Sequence, residues 1–197
     1  MTTTPYLDRF TTDLSQLVRN HPERYGAFGR DIELGRLVRI LNQNKKNSAA
    51  IIGEAGVGKT ALVEELVKRI NANDPILHDT LLGRQVVSLE LSALMEVTDG
   101  GSFASNLHHV IDEVKANPQI LLFIDEMHEL IGTGSTGQSG MDAANILKPA
   151  IGRGEIQVIG ATTNAEFRQY IDSDNAMERR FDKVILDEFT AVQTKST

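Results

Sequence analysis

The sequence predicts a three-layer α/β fold, in which a central parallel sheet of five strands lies between two layers of helices. Helical and extended patterns alternate from about residue 31 onward, which is typical of parallel sheets whose strands are connected by helices. The stretch from Ile120 to Ile124 is apolar at every position, as expected for a strand whose two faces are both covered. In such sheets ligands bind at the carboxyl ends of the strands.

Local patterns place each element along the chain. Apolar residues at spacings of three and four predict helices at 34–41, 62–70 and 103–114, and a further helix containing Pro149 runs from Asp142 to Ile151. Short apolar runs predict the strands, at 49–52, 86–89, 120–124, 156–159 and 184–186. Residues 132–140 are rich in glycine, serine and threonine, which predicts a flexible loop.

Length and composition indicate a single globular domain. A chain of 197 residues can bury roughly 70% of the surface that its unfolded form exposes. A hydrophobic content of 41% is ordinary for such a domain. We divide the domain into an N-terminal helix with the segment that follows it (1–30), an α/β core (31–189) and a tail without pattern that we expect to fray (190–197).

Composition also limits where the protein works and what it binds. No apolar run approaches the about 20 residues that cross a bilayer, and the first residues lack the pattern of a signal peptide. The chain has no cysteine, and its net charge is −7. The lack of cysteine fits a reducing cytoplasm, and the lack of a long apolar run predicts no membrane partner, so we expect a cytoplasmic protein. Because nucleic-acid binding draws on clustered basic residues, we also expect no nucleic-acid partner.

The most specific motif is Gly53-Glu54-Ala55-Gly56-Val57-Gly58-Lys59-Thr60, which fits the pattern G-x-x-x-x-G-K-[ST]. It follows a predicted strand and precedes a predicted helix, the context in which such a loop binds phosphate. Its glycines let several N–H groups point at one anion, and the positive end of the helix dipole adds to them. We expect Lys59 to contact the β- and γ-phosphates, Thr60 to bind Mg²⁺ and Ala61 to complete the binding segment. The alternative is a glycine-rich turn that only connects a strand to a helix.

Two acidic residues follow the apolar strand at 120–124. We expect Asp125 to hold Mg²⁺ through water, and Glu126 to orient and deprotonate an attacking water molecule. Many strands end in acidic residues, so the pair indicates a catalytic site only because a phosphate loop precedes it in the same chain.

Two further signals leave alternatives open. Thr163 follows the strand at 156–159, where its hydroxyl could hydrogen-bond the attacking water or the terminal phosphate; alternatively, Thr163 or Asn164 caps the next helix. Arg179 and Arg180 stand side by side before the last strand. Either they act on a terminal phosphate held by a neighbouring subunit, or they form salt bridges with Glu178 or Asp182 of their own chain.

Together these motifs resemble the first AAA+ nucleotide-binding module of the Clp family of hexameric unfoldases and disaggregases, the ClpB/ClpC type. Phe28-Gly29-Arg30-Asp31 is similar to the family's box beside the adenine, and residues 123–130 are similar to its Walker B stretch with the trailing histidine. Asn145-Ile146-Leu147-Lys148-Pro149-Ala150 and Arg153-Gly154-Glu155 resemble a Clp-specific segment. Gly160-Ala161-Thr162-Thr163 resembles the sensor strand, and Glu178-Arg179-Arg180-Phe181 resembles the arginine-finger motif.

The resemblance implies the large subdomain of an AAA+ P-loop NTPase, which binds ATP or ADP with Mg²⁺ and hydrolyses ATP. It implies adenine contact by Phe28, Gly29 and Arg30, a sensor role for Thr163, and finger roles in trans for Arg179 and Arg180. At the level of the full-length protein it implies a homo-hexamer that remodels protein substrates. A peptidase or another chaperone is the further partner that the family suggests.

The sequence departs from the family pattern in two places. Asp99 stands where family members usually carry an aromatic residue in the loop that grips substrate, and a carboxylate does not supply the apolar contact of an aromatic ring. The family also continues beyond the position of Thr197 into a small helical lid subdomain, which we expect to be absent here. These departures favour, as an alternative function, a nucleotide-binding regulatory or scaffold module with little substrate threading of its own.

Overall fold

A computed structural model describes residues 4–77, 80–96, 102–132 and 138–188. Three features predicted from the sequence fall wholly or partly outside these described residues: the fraying tail 190–197, the stretch around Asp99, and positions 133–137 of the glycine-rich loop. Within the described ranges the chain forms three layers, with one sheet between two groups of helices.

The strands are β1 (Thr11–Asp13), β2 (Ser48–Ile52), β3 (Gln85–Leu89), β4 (Ile120–Ile124), β5 (Val158–Thr162) and β6 (Phe181–Ile185). They form one sheet in the order β1-β3-β4-β5-β2-β6. The strands β2 to β6 pair with one another in parallel, whereas β1 pairs antiparallel with β3. The predicted five-stranded parallel sheet is therefore confirmed, and an antiparallel edge strand, which the prediction lacked, makes six.

The helices are α1 (Pro5–Phe10), α2 (Leu14–Asn20), α3 (Asp31–Leu41), α4 (Lys59–Asn71), α5 (Leu91–Met95), α6 (Phe103–Ala116), α7 (Met127–Gly132), α8 (Gln138–Arg153), α9 (Asn164–Tyr170) and α10 (Asn175–Glu178), with a 3-10 turn at Pro22–Arg24. The helices α2, α3 and α4 pack on one face of the sheet, and the other helices contribute to the core on the opposite face. Among the described segments, none of the helices has the length and apolar character needed to cross a membrane.

Side chains of the central strands alternate between the two faces of the sheet and so contribute to both hydrophobic cores. Ala49 and Ile51 of β2 pack towards α3 and α4, whereas Ala50 and Ile52 face the opposite layer, because successive side chains of a strand point to opposite faces. Every residue of β4 is buried, as the uninterrupted apolar run predicts.

Four elements, α3, α4, α8 and β6, begin three or more residues earlier than the sequence predicts, whereas β5 begins two residues later, at Val158. The helix α8 starts at Gln138 rather than at Asp142, and it continues through Pro149. The strand β6 starts at Phe181 rather than at 184, because Phe181 already pairs with Ser48 of β2. The sheet order places the carboxyl ends of β4, β5 and β2 side by side, so the segments that follow these strands meet at one edge of the sheet.

Candidate functional site

The loop between β2 and α4 is a tight curl that depends on three glycines. Gly56 and Gly58 have φ angles of +80° and +98°, a left-handed conformation that glycine adopts without steric cost. At Gly53 an added Cβ would lie 2.6 Å from Val57 Cγ1 and 2.7 Å from the carbonyl oxygen of Leu186. The loop therefore packs against both its own later residues and the segment after β6.

Lys59 lies at the first position of α4 and is buried. Its Nζ donates hydrogen bonds to the carbonyl oxygens of Gly53, at 2.9 Å, and Glu54, at 3.2 Å. These bonds hold the ammonium against the inner side of the loop, at the positive end of a 13-residue helix. The free N–H groups of a helix start and an adjacent cation together favour an anion. The predicted phosphate loop is thus a curled segment with a buried cation at a helix start, and its binding of phosphate stays a prediction.

Thr60, at the start of α4, and Asp125, directly after β4, are brought together. The Thr60 hydroxyl donates to Asp125 Oδ2 at 3.0 Å, and Asp125 Oδ1 accepts from the backbone N–H of Glu126 at 3.0 Å. A hydroxyl and a carboxylate are the hard oxygen donors that Mg²⁺ prefers. The predicted metal pair is therefore adjacent in space, and its chemistry fits Mg²⁺.

Glu126 occupies a turn immediately before α7 with a φ of +48°. A left-handed φ is uncommon outside glycine, so this turn is held by its surroundings. The carboxylate is 46% exposed, and its Oε2 lies 3.4 Å from Nδ1 of His128. Glu126 is thus open to solvent on one side and in contact with an imidazole on the other.

Thr163 is the N-cap of α9. Its hydroxyl accepts from the N–H of Glu166, while Glu166 Oε2 accepts from the Thr163 N–H at 3.0 Å and from the Thr163 hydroxyl at 2.7 Å. This reciprocal pattern is a capping box, so the capping alternative is confirmed for Thr163. Its sensor role stays a prediction. The neighbouring Thr162 is buried at the end of β5, and its hydroxyl also donates to Glu166 Oε2, at 3.1 Å.

Glu166 belongs to the site but is absent from the sequence prediction. The spacing Thr163-x-x-Glu166 is the signature of a capping box and could have identified it. Burial raises the pKa of Glu166, but the hydrogen bonds from Thr163 and Thr162 and the charge of His128 together bring that pKa below its ordinary value. Glu166 is therefore an anion fixed by three donors.

His128 joins this anion to Glu126. Its Nδ1 lies 3.1 Å from Glu166 Oε2, 3.4 Å from Glu126 Oε2 and 3.5 Å from the Thr162 hydroxyl. One ligand atom from each of Glu126, His128 and Glu166 lies within 4.8 Å of the others, so the three could hold a metal ion. Since Glu166 Oε2 already accepts three hydrogen bonds, a metal there would have to displace them.

The segment Phe28-Gly29-Arg30 reaches the phosphate loop through Arg30. The Arg30 guanidinium is buried and donates to the carbonyl oxygens of Val57, at 3.2 Å, and Asp187, at 2.7 Å. Phe28 is 80% exposed, and Gly29 has a φ of +69°. The structure thus gives Arg30 a role in holding the loop, whereas adenine contact by Phe28, Gly29 and Arg30 stays a prediction.

The two arginines after α10 are held differently. Arg180 donates from Nε to the Gly152 carbonyl at 2.8 Å and from Nη1 to the Lys45 carbonyl at 3.3 Å. Arg179 is exposed. Neither arginine forms an ion pair with Glu178 or Asp182 in the part of the chain that the structure describes, so the salt-bridge alternative is wrong.

Comparisons with known proteins agree with this geometry. A sequence model of the family described as "ATPase family associated with various cellular activities (AAA)" matches residues 49–189. The chaperone protein ClpB of Corynebacterium efficiens is 44% identical over 184 residues, which are 92% of this chain and 21% of that protein.

Solved structures give the same result. The S. cerevisiae Hsp104–ADP complex superposes with a TM-score of 0.83 at 38% identity, covering 97% of this chain and 32% of that one. The S. cerevisiae Hsp104:casein complex in its extended conformation gives a TM-score of 0.80 at 37% identity, with the same coverage. The chain thus spans about a fifth of the length of the ClpB relative and about a third of Hsp104.

Proposed function

The chain belongs to the ATPase family associated with various cellular activities, and from that premise we propose that it binds Mg·ATP at residues 53–61 and hydrolyses it. One observation carries the proposal. The Thr60 hydroxyl lies 3.0 Å from the Asp125 carboxylate, beside a buried Lys59 whose ammonium is fixed inside the loop. These contacts support the proposal that phosphate binding, metal binding and proton transfer are combined at one edge of the sheet.

The charge of each site residue determines its proposed role. Lys59 and the N–H groups of the loop bind the phosphates and offset their negative charge. Bound by Thr60 and Asp125, Mg²⁺ would further neutralise the terminal phosphates. Glu126, whose carboxylate is partly exposed, orients the attacking water and accepts its proton. Thr163 donates a hydrogen bond to Glu166, and His128 lies between Glu166 and Glu126. Thr163 is the proposed sensor of the terminal phosphate.

The similarity to ClpB and Hsp104 supports a place in a homo-hexameric, cytoplasmic chaperone that remodels proteins, rather than in a regulatory or scaffold module. One of the related structures holds Hsp104 with casein, which supports a protein as substrate. In that ring the exposed Arg179 is the better candidate for a finger acting on the next subunit's nucleotide. Arg180 is engaged by backbone carbonyls of its own chain. A peptidase or second chaperone partner belongs to the same proposal.

Two variants test the nucleotide proposal by separating binding from chemistry. We expect Lys59→Ala to abolish ATP binding in calorimetry, because it removes the cation that contacts the ground-state phosphates. We expect Glu126→Gln to bind ATP with normal affinity but to lose turnover, because its carboxylate acts only in the chemical step.

Lys45→Ala is the matched control, since Lys45 is exposed and lies outside the loop. It should bind and hydrolyse ATP as the unchanged chain does. Unaltered ATP affinity in Lys59→Ala would refute the phosphate site, and undiminished hydrolysis by Glu126→Gln would refute the assignment of the base.

A further inference from the structure

His128 lies at the second residue of α7, between two carboxylates from different parts of the chain. Its Nδ1 is 3.1 Å from Glu166 Oε2 and 3.4 Å from Glu126 Oε2. The imidazole is mostly buried, with 22% of its side chain exposed. One ring nitrogen therefore faces both the proposed catalytic base and a second carboxylate.

The two carboxylates differ in how firmly they are held. Glu166 is anchored at Oε2 by the Thr163 N–H, the Thr163 hydroxyl and the Thr162 hydroxyl. Glu126 is the more exposed of the two, with 46% of its side chain accessible against 28% for Glu166. His128 thus connects a fixed carboxylate to one with room to reorient.

The geometry also assigns a proton to Nδ1. An imidazolium carries a proton on both ring nitrogens and a neutral imidazole on one, and in either form a nitrogen that faces two carboxylate oxygens is stabilised as the donor rather than as the acceptor. Both carboxylate oxygens lie within ion-pair distance of Nδ1, the Glu166 oxygen nearer and the Glu126 oxygen farther. Contact with the anchored Glu166 therefore keeps Nδ1 within reach of Glu126 Oε2.

We propose that His128, fixed by Glu166, is a positioning residue for the base Glu126, and that Thr162 and Thr163 act on that base through the same Glu166 oxygen. This inference rests on the proposed ATPase function. When Glu126 turns to accept the proton of the attacking water, the Nδ1–H remains satisfied by Glu166. A displacement of the Thr163 hydroxyl changes the hydrogen bonding of Glu166 and thereby the share of the Nδ1–H that Glu126 receives.

A pair of neutral replacements at His128 isolates the donor at Nδ1. The amide N–H of Asn stands close to the position of Nδ1, whereas that of Gln stands farther out along the side chain. In single-turnover hydrolysis, with the chain in excess over ATP, we expect His128→Gln and His128→Ala to slow turnover by about tenfold to a hundredfold, as misplacement of a catalytic group does. We expect His128→Asn to lose no more than about threefold. ATP affinity should stay within about twofold in all three variants.

The ring itself gives a readout that does not depend on turnover. Long-range ¹H–¹⁵N spectra at about pH 8.5 report which ring nitrogen carries the proton, and the His128→Gln variant identifies the His128 signals by their loss. We expect the Nδ1–H tautomer to predominate in the unchanged chain and to decline in Glu166→Gln and in Glu126→Gln. Gln at 166 preserves the capping box, in which Glu and Gln are equivalent partners. Glu23→Gln is the matched control, because the Glu23 carboxylate lies near His21 and Arg24 in an exposed turn.

The outcomes separate this inference from the function on which it rests. An unchanged tautomer in Glu166→Gln, or equal hydrolysis rates for His128→Asn and His128→Gln, would overturn the positioning role even if Glu126→Gln is inactive. Normal hydrolysis by Glu126→Gln would instead overturn the proposed base, whatever the His128 variants do.

Discussion

Arg179 and Arg180 are adjacent in sequence, yet among the described residues hydrogen bonds tie only Arg180 to its own chain. Its guanidinium joins the carbonyl of Gly152, at the end of α8, to the carbonyl of Lys45, just before β2. The close approach is visible at Gly154, where an added Cβ would lie 2.9 Å from Arg180 Nη1. One arginine of the pair therefore contributes to the fold, and the other is exposed at the surface.

The two arginines should differ in their effect on stability. We expect Arg180→Ala to lower the free energy of unfolding by about 1.5–3 kcal/mol, the usual value of hydrogen bonds made by a charged group. Arg179→Ala, at an exposed position, should change it by less than about 0.5 kcal/mol. Urea unfolding of the two variants measures the difference. Equal losses would contradict the division of roles.

Site residues could be predicted from the sequence where one continuous segment determines their role. The loop from Gly53 to Thr60 and the acid at Asp125 could be predicted, because a motif next to an apolar run specifies both the turn and the strand end. The contact between His128 and Glu166 could not, since α7 and α9 follow different strands and lie together because β4 pairs with β5. Arg30 shows the same limit, because its bond to the Val57 carbonyl spans 27 residues of sequence.

The helix α7 carries His128 and directly follows Glu126. The packing of α7 against the sheet therefore sets the positions of His128 and Glu126. Met127, at the start of α7, is fully buried over Gly160 of β5. A Cβ added at Gly160 would lie 2.4 Å from Met127 Sδ and 2.6 Å from Met127 Cε. The absence of a side chain in β5 therefore lets α7 approach the sheet closely.

A single methyl group added at Gly160 tests this packing of α7 against the sheet. We expect Gly160→Ala to lower the free energy of unfolding by about 1–3 kcal/mol through overpacking, and to slow ATP turnover because α7 shifts with the base. Gly35→Ala is the matched control, since Gly35 is exposed in α3 and an added Cβ meets no atom within 4 Å. It should stabilise the chain by about 0.4–1 kcal/mol. Both values come from urea unfolding, and a neutral Gly160→Ala would show that α7 does not depend on this contact.

For the whole molecule, the alternation of helices and strands was sufficient to predict the layers and the five parallel strands. It could not predict the order β1-β3-β4-β5-β2-β6, because strand order depends on which crossovers cover which face. Nor did it reveal β1, whose Thr-Thr-Asp sequence has no apolar pattern. That strand is specified by its partners instead: it pairs with β3, and Asp13 Oδ2 accepts from Gln85 Nε2 at 2.8 Å.

Nucleotide binding should stabilise the entire domain, because the site draws on segments after β2, β4 and β5 that exist together only in the folded chain. With Mg²⁺ and a non-hydrolysable ATP analogue at 100 times the dissociation constant, the free energy of unfolding should rise by about 2.7 kcal/mol. For a domain of this size that corresponds to a rise in the melting temperature of roughly 5–10 °C.

Differential scanning calorimetry should show this rise in the unchanged chain and in Lys45→Ala, but not in Lys59→Ala. Removing Mg²⁺ with a chelator should reduce the rise, because Thr60 and Asp125 then contribute no metal-mediated contact. An equal rise in Lys59→Ala would mean that the analogue stabilises the domain from somewhere other than this loop.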